Sequence, residues 1–169
     1  MSAASPPDGS HLCLACGLCC QGLLHDWAQL EPGETAAAER LGLPTFAHPQ
    51  GPGFTLPCPR HREGRCTVYD ERPSPCSGFR CKLLRRYLAG EVAWEESLLR
   101  IEQVKQLVAA IRRRTAGGEG GASVWQQLRA FEAAGPAALE AELRLDVATL
   151  LIQCQRHFDD RARPTRICG

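Results

Sequence analysis

The stretch Cys13-Leu14-Ala15-Cys16-Gly17-Leu18-Cys19-Cys20 places four cysteines in eight residues, spaced C-x2-C-x2-C and closed by an adjacent pair. Metal coordination needs deprotonated sulfurs that converge within a few ångströms, and a C-x2-C spacing supplies this when a tight turn carries both side chains to one side. In an extended backbone, adjacent cysteines point to opposite sides, so Cys19 and Cys20 are expected to serve different centres or to bridge two of them.

The cysteines are unevenly spread. Of the ten in the chain, Cys13, Cys16, Cys19, Cys20, Cys58, Cys66, Cys76 and Cys81 fall in the first half, and only Cys154 and Cys168 lie beyond it. The segment before Cys13, MSAASPPDGSHL, has neither a basic region nor an apolar run, so no secretory signal is expected. No later stretch approaches the roughly 18 to 20 apolar residues of a membrane span. The expected location is therefore cytoplasmic, with no membrane partner, and a reducing compartment makes clustered cysteines read as metal ligands rather than disulfides. Eight cysteines at motif spacing are also too many to be inert core fillers. A catalytic thiol would need a base, for which His11, His25, His48 and His61 are available in the same half.

The run C-x2-C-x2-C with a distant Cys58-Pro59 resembles the way bacterial ferredoxins hold a cubane, with three ligands from the run and one from a remote Cys-Pro. This favours a 4Fe-4S iron-sulfur cluster, with zinc close behind because all-thiolate tetrahedral sites fit equally well. The departure from ferredoxins is that Cys20 follows Cys19 at once. One division of the eight is Cys13, Cys16, Cys19 and Cys58 around one centre and Cys20, Cys66, Cys76 and Cys81 around another; sequence order leaves other groupings open.

A second block, GRCTVYDERPSPCSGFRC over residues 64–81, completes the pattern. Together with CLACGLCC and Cys58-Pro59 it resembles the YkgJ-type cysteine-cluster family, described as zinc- or iron-chelating or as Fe-S-cluster proteins. The family pattern in this block is G-x-C-x-[IV]-Y-x-x-R-P-x-x-C-x-x-[FY]-x-C. Gly64, Cys66, Val68, Tyr69, Arg72, Pro73, Cys76, Phe79 and Cys81 meet every fixed position. The resemblance covers residues 13–81 and implies metal binding without implying a reaction. Arg72 and Tyr69 are candidate cofactor-binding residues, since a permanent cation and a hydroxyl beside thiolates can offset negative charge and donate hydrogen bonds to sulfur. The competing roles are packing of Tyr69 on a hairpin and an Arg72 ion pair with Asp70 or a helix carboxylate. Pro73 and Pro75 are expected to fix a turn that presents Cys76.

The remaining text sets the architecture. The chain has 169 residues, is 44% hydrophobic and carries a formal charge of +1, enough for one core and too neutral for a general pull toward nucleic acid or anionic membrane. Up to Cys81, prolines and glycines leave room only for short elements. These are a turn through the first cysteines, an extended piece near 23–30, a helix near 33–41, and a hairpin pairing Thr55-Leu56 with residues 66–69 through a turn at Glu63-Gly64. This half holds few large apolar residues and is expected to need a metal staple. From Lys82 onward helices dominate, with Leu98, Ile101, Val104, Val108 and Ile111 on one face and Leu139, Leu143, Val147, Leu150, Cys154 and Phe158 on another. Ser123 and Gln126 form a capping-box start after the TAGGEGGAS break.

The expected fold is α-rich, small α+β: an irregular cysteine-rich metal-binding N-terminal half with a short hairpin, packed against three or four C-terminal helices. Residues 10–85 form the cysteine-cluster region and residues 86–162 the helical region packed on it, as one structural unit. The function is metal binding, with zinc or iron held by Cys13, Cys16, Cys19, Cys20, Cys58, Cys66, Cys76 and Cys81, iron as an Fe-S cluster being preferred.

Two alternatives stand beside it: a zinc-stabilised nucleic-acid-binding or interaction module, and a cluster-dependent redox or modifying enzyme. Residues 80–114 hold nine basic side chains against four acidic ones, a local excess read mainly as a solvated helix face, with Arg112 to Arg114 favoured at a helix C-terminus. Cys154, His157 and Cys168 make a weak third ligand group without a fourth partner. Phosphate-loop, dinucleotide, H-E-x-x-H and G-x-S-x-G motifs do not occur, so a self-contained enzyme is not the preferred reading.

Overall fold

The computed structural model describes residues 8–115, 124–135 and 140–159. In chain order the elements are α1 (Gly9–Cys16), β1 (Trp27–Gln29), α2 (Thr35–Arg40), β2 (Thr45–His48), β3 (Gly51–Thr55), β4 (His61–Arg62), β5 (Arg65–Cys66), α3 (Ser74–Gly78), α4 (Lys82–Leu88), α5 (Trp94–Arg114), α6 (Val124–Ala134) and α7 (Ala141–His157). The α-rich fold with small antiparallel sheets agrees with the sequence reading, and the cysteine-rich half precedes the long helices.

The helices carry the main core. On α5, Ile101, Val104, Val108 and Ile111 are buried, the face that three- and four-residue spacing marks out. They meet Leu143, Val147 and Leu150 of α7 and Phe158 beyond it. Glu95 and Glu96 open α5 and Arg112, Arg113 and Arg114 close it, the arrangement that suits the helix dipole. Arg114 then reaches Glu142 at 2.7 Å and Asp146 at 3.4 Å on α7, exposed pairs worth little beyond orientation. The same core takes in Leu12, Leu18, Leu23 and Leu24, so the N-terminal half borrows the helical core instead of closing its own. A second, smaller cluster, Leu30, Ala38, Leu43, Phe54 and Leu56, lies wholly within that half.

The small sheets differ from expectation in their pairing. β3 is the centre of a three-stranded sheet, antiparallel to β1 (Trp27 opposite Thr55) and β2 (Thr45 opposite Phe54), whereas Thr55-Leu56 was expected opposite residues 66–69. The hairpin that does form joins β4 to β5, with His61 opposite Cys66, and its turn falls at Glu63 and Gly64, both at positive φ, where expected. β2 and β3 carry a weak strand pattern because β3 reads Gly-Pro-Gly-Phe-Thr. Glycine is required at position 53: a Cβ there would lie 2.6 Å from Cε3 of Trp27 and 2.8 Å from the Ala28 carbonyl oxygen.

Two short helices also depart from the sequence reading. Cys13 and Cys16 lie on α1, and the expected turn carries only Cys19 and Cys20. Asp8 caps it by accepting from the backbone N–H groups of Ser10 and His11, a strong helix start. Ser74–Gly78 is a helix with Pro75 in its first turn, where a missing N–H costs nothing. The proposed capping box at Ser123 and most of the residue 115–123 break lie outside the described residues.

The packing predicts an asymmetry between two leucines of α7. Leu150 is 0% exposed and Leu145 68%. Chemical denaturation should put Leu150→Ala about 2–5 kcal/mol below the parent protein and Leu145→Ala within about 0.5 kcal/mol of it.

Candidate metal centre

α1 places Cys13 and Cys16 three residues apart, on one helical face. Gly17, at φ 64°, ends the helix with its N–H bonded to the Cys13 carbonyl, and the His61 ring packs against the space a side chain there would need. The chain then turns through Cys19 and Cys20. α5 holds this loop from below: Lys105 Nζ donates to the Ala15 carbonyl at 2.5 Å, and the Arg112 guanidinium donates to Gln21 Oε1 at 3.3 Å. Cys81 is the residue that opens α4, and α1 packs against both α4 and α5, which brings Cys81 to the α1 side.

The other cysteines are gathered by backbone hydrogen bonds. The Cys58 N–H donates to the Cys20 carbonyl at 2.8 Å, and the His61 N–H to the Cys58 carbonyl at 3.0 Å. The β4–β5 ladder sets Cys66 opposite His61. Cys76 rides on α3, whose start is pinned by Glu34: its Oε1 accepts from the Ser74 backbone N–H at 2.9 Å and hydroxyl at 2.7 Å.

All eight cysteines line one cavity of about 910 Å3, together with His61, Tyr69 and Arg72. The nine described cysteines are free thiols, with no disulfide among them. Burial pushes the Cys16, Cys20 and Cys76 thiols up to about 12 and Cys19 well above the ordinary range, with neighbouring thiols adding to the rise. Burial likewise raises Cys13, Cys58 and Cys81. Cys13 and Cys76 are exposed as residues, yet burial of the sulfur is still the largest influence on each. Without a cation these groups are therefore neutral thiols at pH 7.

Among the described residues, no three Cys, His, Asp or Glu side chains stand ready to hold one metal ion. Loading calls either for rotation of the thiol side chains or for a centre larger than one ion, whose ligands sit on different metal atoms. The donor chemistry fits such a group. Thiolates are its natural ligands, and the wall carries an orphan: His61 Nε2 is buried with no hydrogen-bond partner, suited to a bond with a thiolate or inorganic sulfide.

Arg72 and Tyr69 form a unit on the same wall. The guanidinium carbon lies 3.6 Å from the Tyr69 ring centroid, Arg72 donates to the Tyr69 carbonyl, and the Tyr69 hydroxyl donates to the Ser10 carbonyl at 3.5 Å. Sequence reasoning singled out both residues but not their stacking on each other, and it did not find His61 as a cavity residue. The His61 signal was its position three residues after Cys58.

The weaker ligand group does not assemble among the described residues. His157 is buried and its imidazole pushed down by that burial, Cys154 packs on the helical core, and Cys168 lies outside the described residues. The basic stretch is largely engaged within the chain. Arg86 pairs with Glu91 and Arg100 with Glu96; Arg85 donates to the Arg80 carbonyl; Lys105, Arg112 and Arg114 make the contacts above.

A family model named CxxCxxCC, described as "Putative zinc- or iron-chelating domain", matches residues 12–103. No curated protein and no solved structure matches the chain. Among the described residues no helix is long and apolar enough to cross a membrane.

The raised thiol pKa values fix the sign of a pH effect. Metal entry must displace a proton from each ligating sulfur, so apparent zinc affinity, measured by chelator competition, should rise steeply from pH 6 to pH 8, with proton release on binding. In the metal-free fold the same groups favour the folded state below the ordinary thiol range, and that contribution is lost as pH climbs toward 12. An affinity independent of pH would contradict thiol ligation.

Proposed function

Since the chain belongs to the CxxCxxCC family, we propose that it is a metal-binding protein whose eight N-terminal-half cysteines are the ligands and whose preferred cargo is iron in an iron-sulfur cluster. The observation that carries this reading is the gathering of eight free thiols on the wall of a single cavity. A lone zinc ion asks for four sulfurs at about 2.3 Å from one point, and hence about 3.8 Å from each other. Among the described residues no three donors stand that close, so zinc would require rotation of the thiol side chains, and the C-x2-C-x2-C run with the remote Cys58-Pro59 favours a cluster, whose ligands sit on several metal atoms. When bound, such a cluster supplies one-electron chemistry at a potential set by charge and hydrogen bonding around it. The chain's own part is to hold the thiolates apart from solvent, to set the Arg72 charge beside them, and to offer His61 Nε2 as a hydrogen-bonding group.

The helical residues 86–162 act in this reading as the support on which the cysteine region of residues 10–85 is built. The nucleic-acid alternative loses ground because Arg86, Arg100 and Arg114 are paired with carboxylates and Lys105 and Arg112 are turned onto Ala15 and Gln21. A free, salt-dependent phosphate surface needs unpaired cations.

Anaerobic purification followed by elemental analysis and an absorption spectrum tests the proposal. The expected result is a brown protein with about four irons and four acid-labile sulfides per cluster, bleached by dithionite. Colourless protein carrying zinc would overturn the choice of iron and retain thiolate ligation. Protein that takes up neither metal would overturn the whole reading.

A further inference from the structure

We propose that the eight cysteines form two separate four-thiolate centres, Cys13, Cys16, Cys19 and Cys81 in one and Cys20, Cys58, Cys66 and Cys76 in the other, joined by the Cys19–Cys20 peptide bond. This rests on the metal-binding reading and adds to it which sulfurs share a centre. The division exchanges Cys58 and Cys81 relative to the grouping drawn from sequence order.

Packing separates the two sets. Cys16, Cys19 and Cys81 lie against the helical core, whereas Cys58 lies against the smaller cluster of Leu30, Ala38, Leu43, Phe54 and Leu56. The first set sits where α1 meets α4, with Cys13 and Cys16 on one helix and Cys81 opening the other. Three of the second set are laced together by the backbone, Cys20 to Cys58, Cys58 to His61, and His61 across the ladder to Cys66, and Cys76 on α3 lines the same cavity. Electrostatic neighbours follow the same line. Cys13 and Cys16 feel Cys81, and Cys20 and Cys76 feel both Cys58 and Cys66. The two sets influence each other where Cys20 meets Cys16 and Cys19.

Each set has one exposed member, Cys13 and Cys76 respectively, and the Arg72 guanidinium acts on both of these thiols. Two four-thiolate centres a peptide bond apart would repel each other. Arg72, held over the Tyr69 ring, is placed as the cation they share. It is a positioning residue, acting on the metals through their sulfurs.

The test uses zinc(II) as the probe on the reduced, full-length wild-type chain. Protein is loaded with zero, one or two equivalents, alkylated with iodoacetamide, and read by intact mass and peptide mapping. The expected result is protection in steps of four thiols per chain, with Cys13, Cys16, Cys19 and Cys81 protected together or Cys20, Cys58, Cys66 and Cys76 together, and all eight at two equivalents. Protection in fours of another composition, such as Cys58 with Cys13, overturns the division alone. Gradual protection across all eight overturns it in favour of one shared pool. Alkylation of all eight whatever the zinc supply overturns the division, and the metal-binding reading beneath it falls if anaerobic loading with iron and sulfide also leaves all eight open to alkylation.

Variants give an independent reading. Cys13→Ser with Cys81→Ser should keep about half the wild-type zinc, and Cys58→Ser with Cys81→Ser should lose nearly all of it. A Cys58/Cys81 pair that keeps half would contradict the division. Arg72→Gln should weaken the second equivalent of zinc more than the first, and Arg72→Lys should restore part of the difference. Equal weakening of both equivalents would show that the charge is not shared.

Discussion

The rest of the structure depends on the crowding of eight partly buried or exposed sulfurs on the wall of one cavity. A thiolate stripped of solvent is costly unless a cation replaces the lost hydration, and burial lifts the Cys16, Cys19, Cys20 and Cys76 thiols far above their ordinary range. A chain that gathers eight thiols on one cavity and leaves them unbridged has a surface whose charged form calls for nearby cations, Arg72 among them. The neutral form is a modest packing surface. If these thiols are the ligands, as proposed, burial and ligation are opposed in the metal-free protein and aligned in the loaded one, which would couple metal binding to the order of the N-terminal half.

The helices make that crowding possible. α5 buries one face against α7 and turns other residues toward the cysteine loop, so Lys105 and Arg112 grip Ala15 and Gln21 while Ile101 and Val104 sit in the core. Leu12, Leu18, Leu23 and Leu24 reach into the same core and anchor the strand of sequence that carries the first four cysteines. The smaller apolar cluster positions Cys58 independently. Two apolar supports, the helical core behind Cys16, Cys19 and Cys81 and the smaller cluster behind Cys58, underlie the proposed division of the sulfurs.

The sequence made the helical half and the cysteine pattern readable for different reasons. Ile101, Val104, Val108 and Ile111 repeat at helical spacing because a single face is buried, and that periodicity survives without knowledge of the partner helix. The family resemblance seen over residues 13–81 is matched by a family model spanning residues 12–103, because the cysteine spacing is written directly in the sequence. Strand pairing was not readable: β3 is built from Gly51, Pro52, Gly53, Phe54 and Thr55, and its place between β1 and β2 is decided by the Trp27 ring over Gly53, a long-range contact. The helix over Cys13 and Cys16 was missed although Asp8 signals its start, because cysteine spacing drew the reading toward a turn. Which sulfurs lie together depends on the Cys58-to-Cys20 hydrogen bond and on α1 meeting α4, neither of which has a local signature.

X-ray absorption at the K-edge of the metal in the protein as isolated tests the central claim most directly, because it reads the donor atoms themselves. The account predicts a first shell made of sulfur alone at about 2.3 Å. A shell of nitrogen or oxygen at about 2.0–2.2 Å would place the metal on other side chains and contradict it.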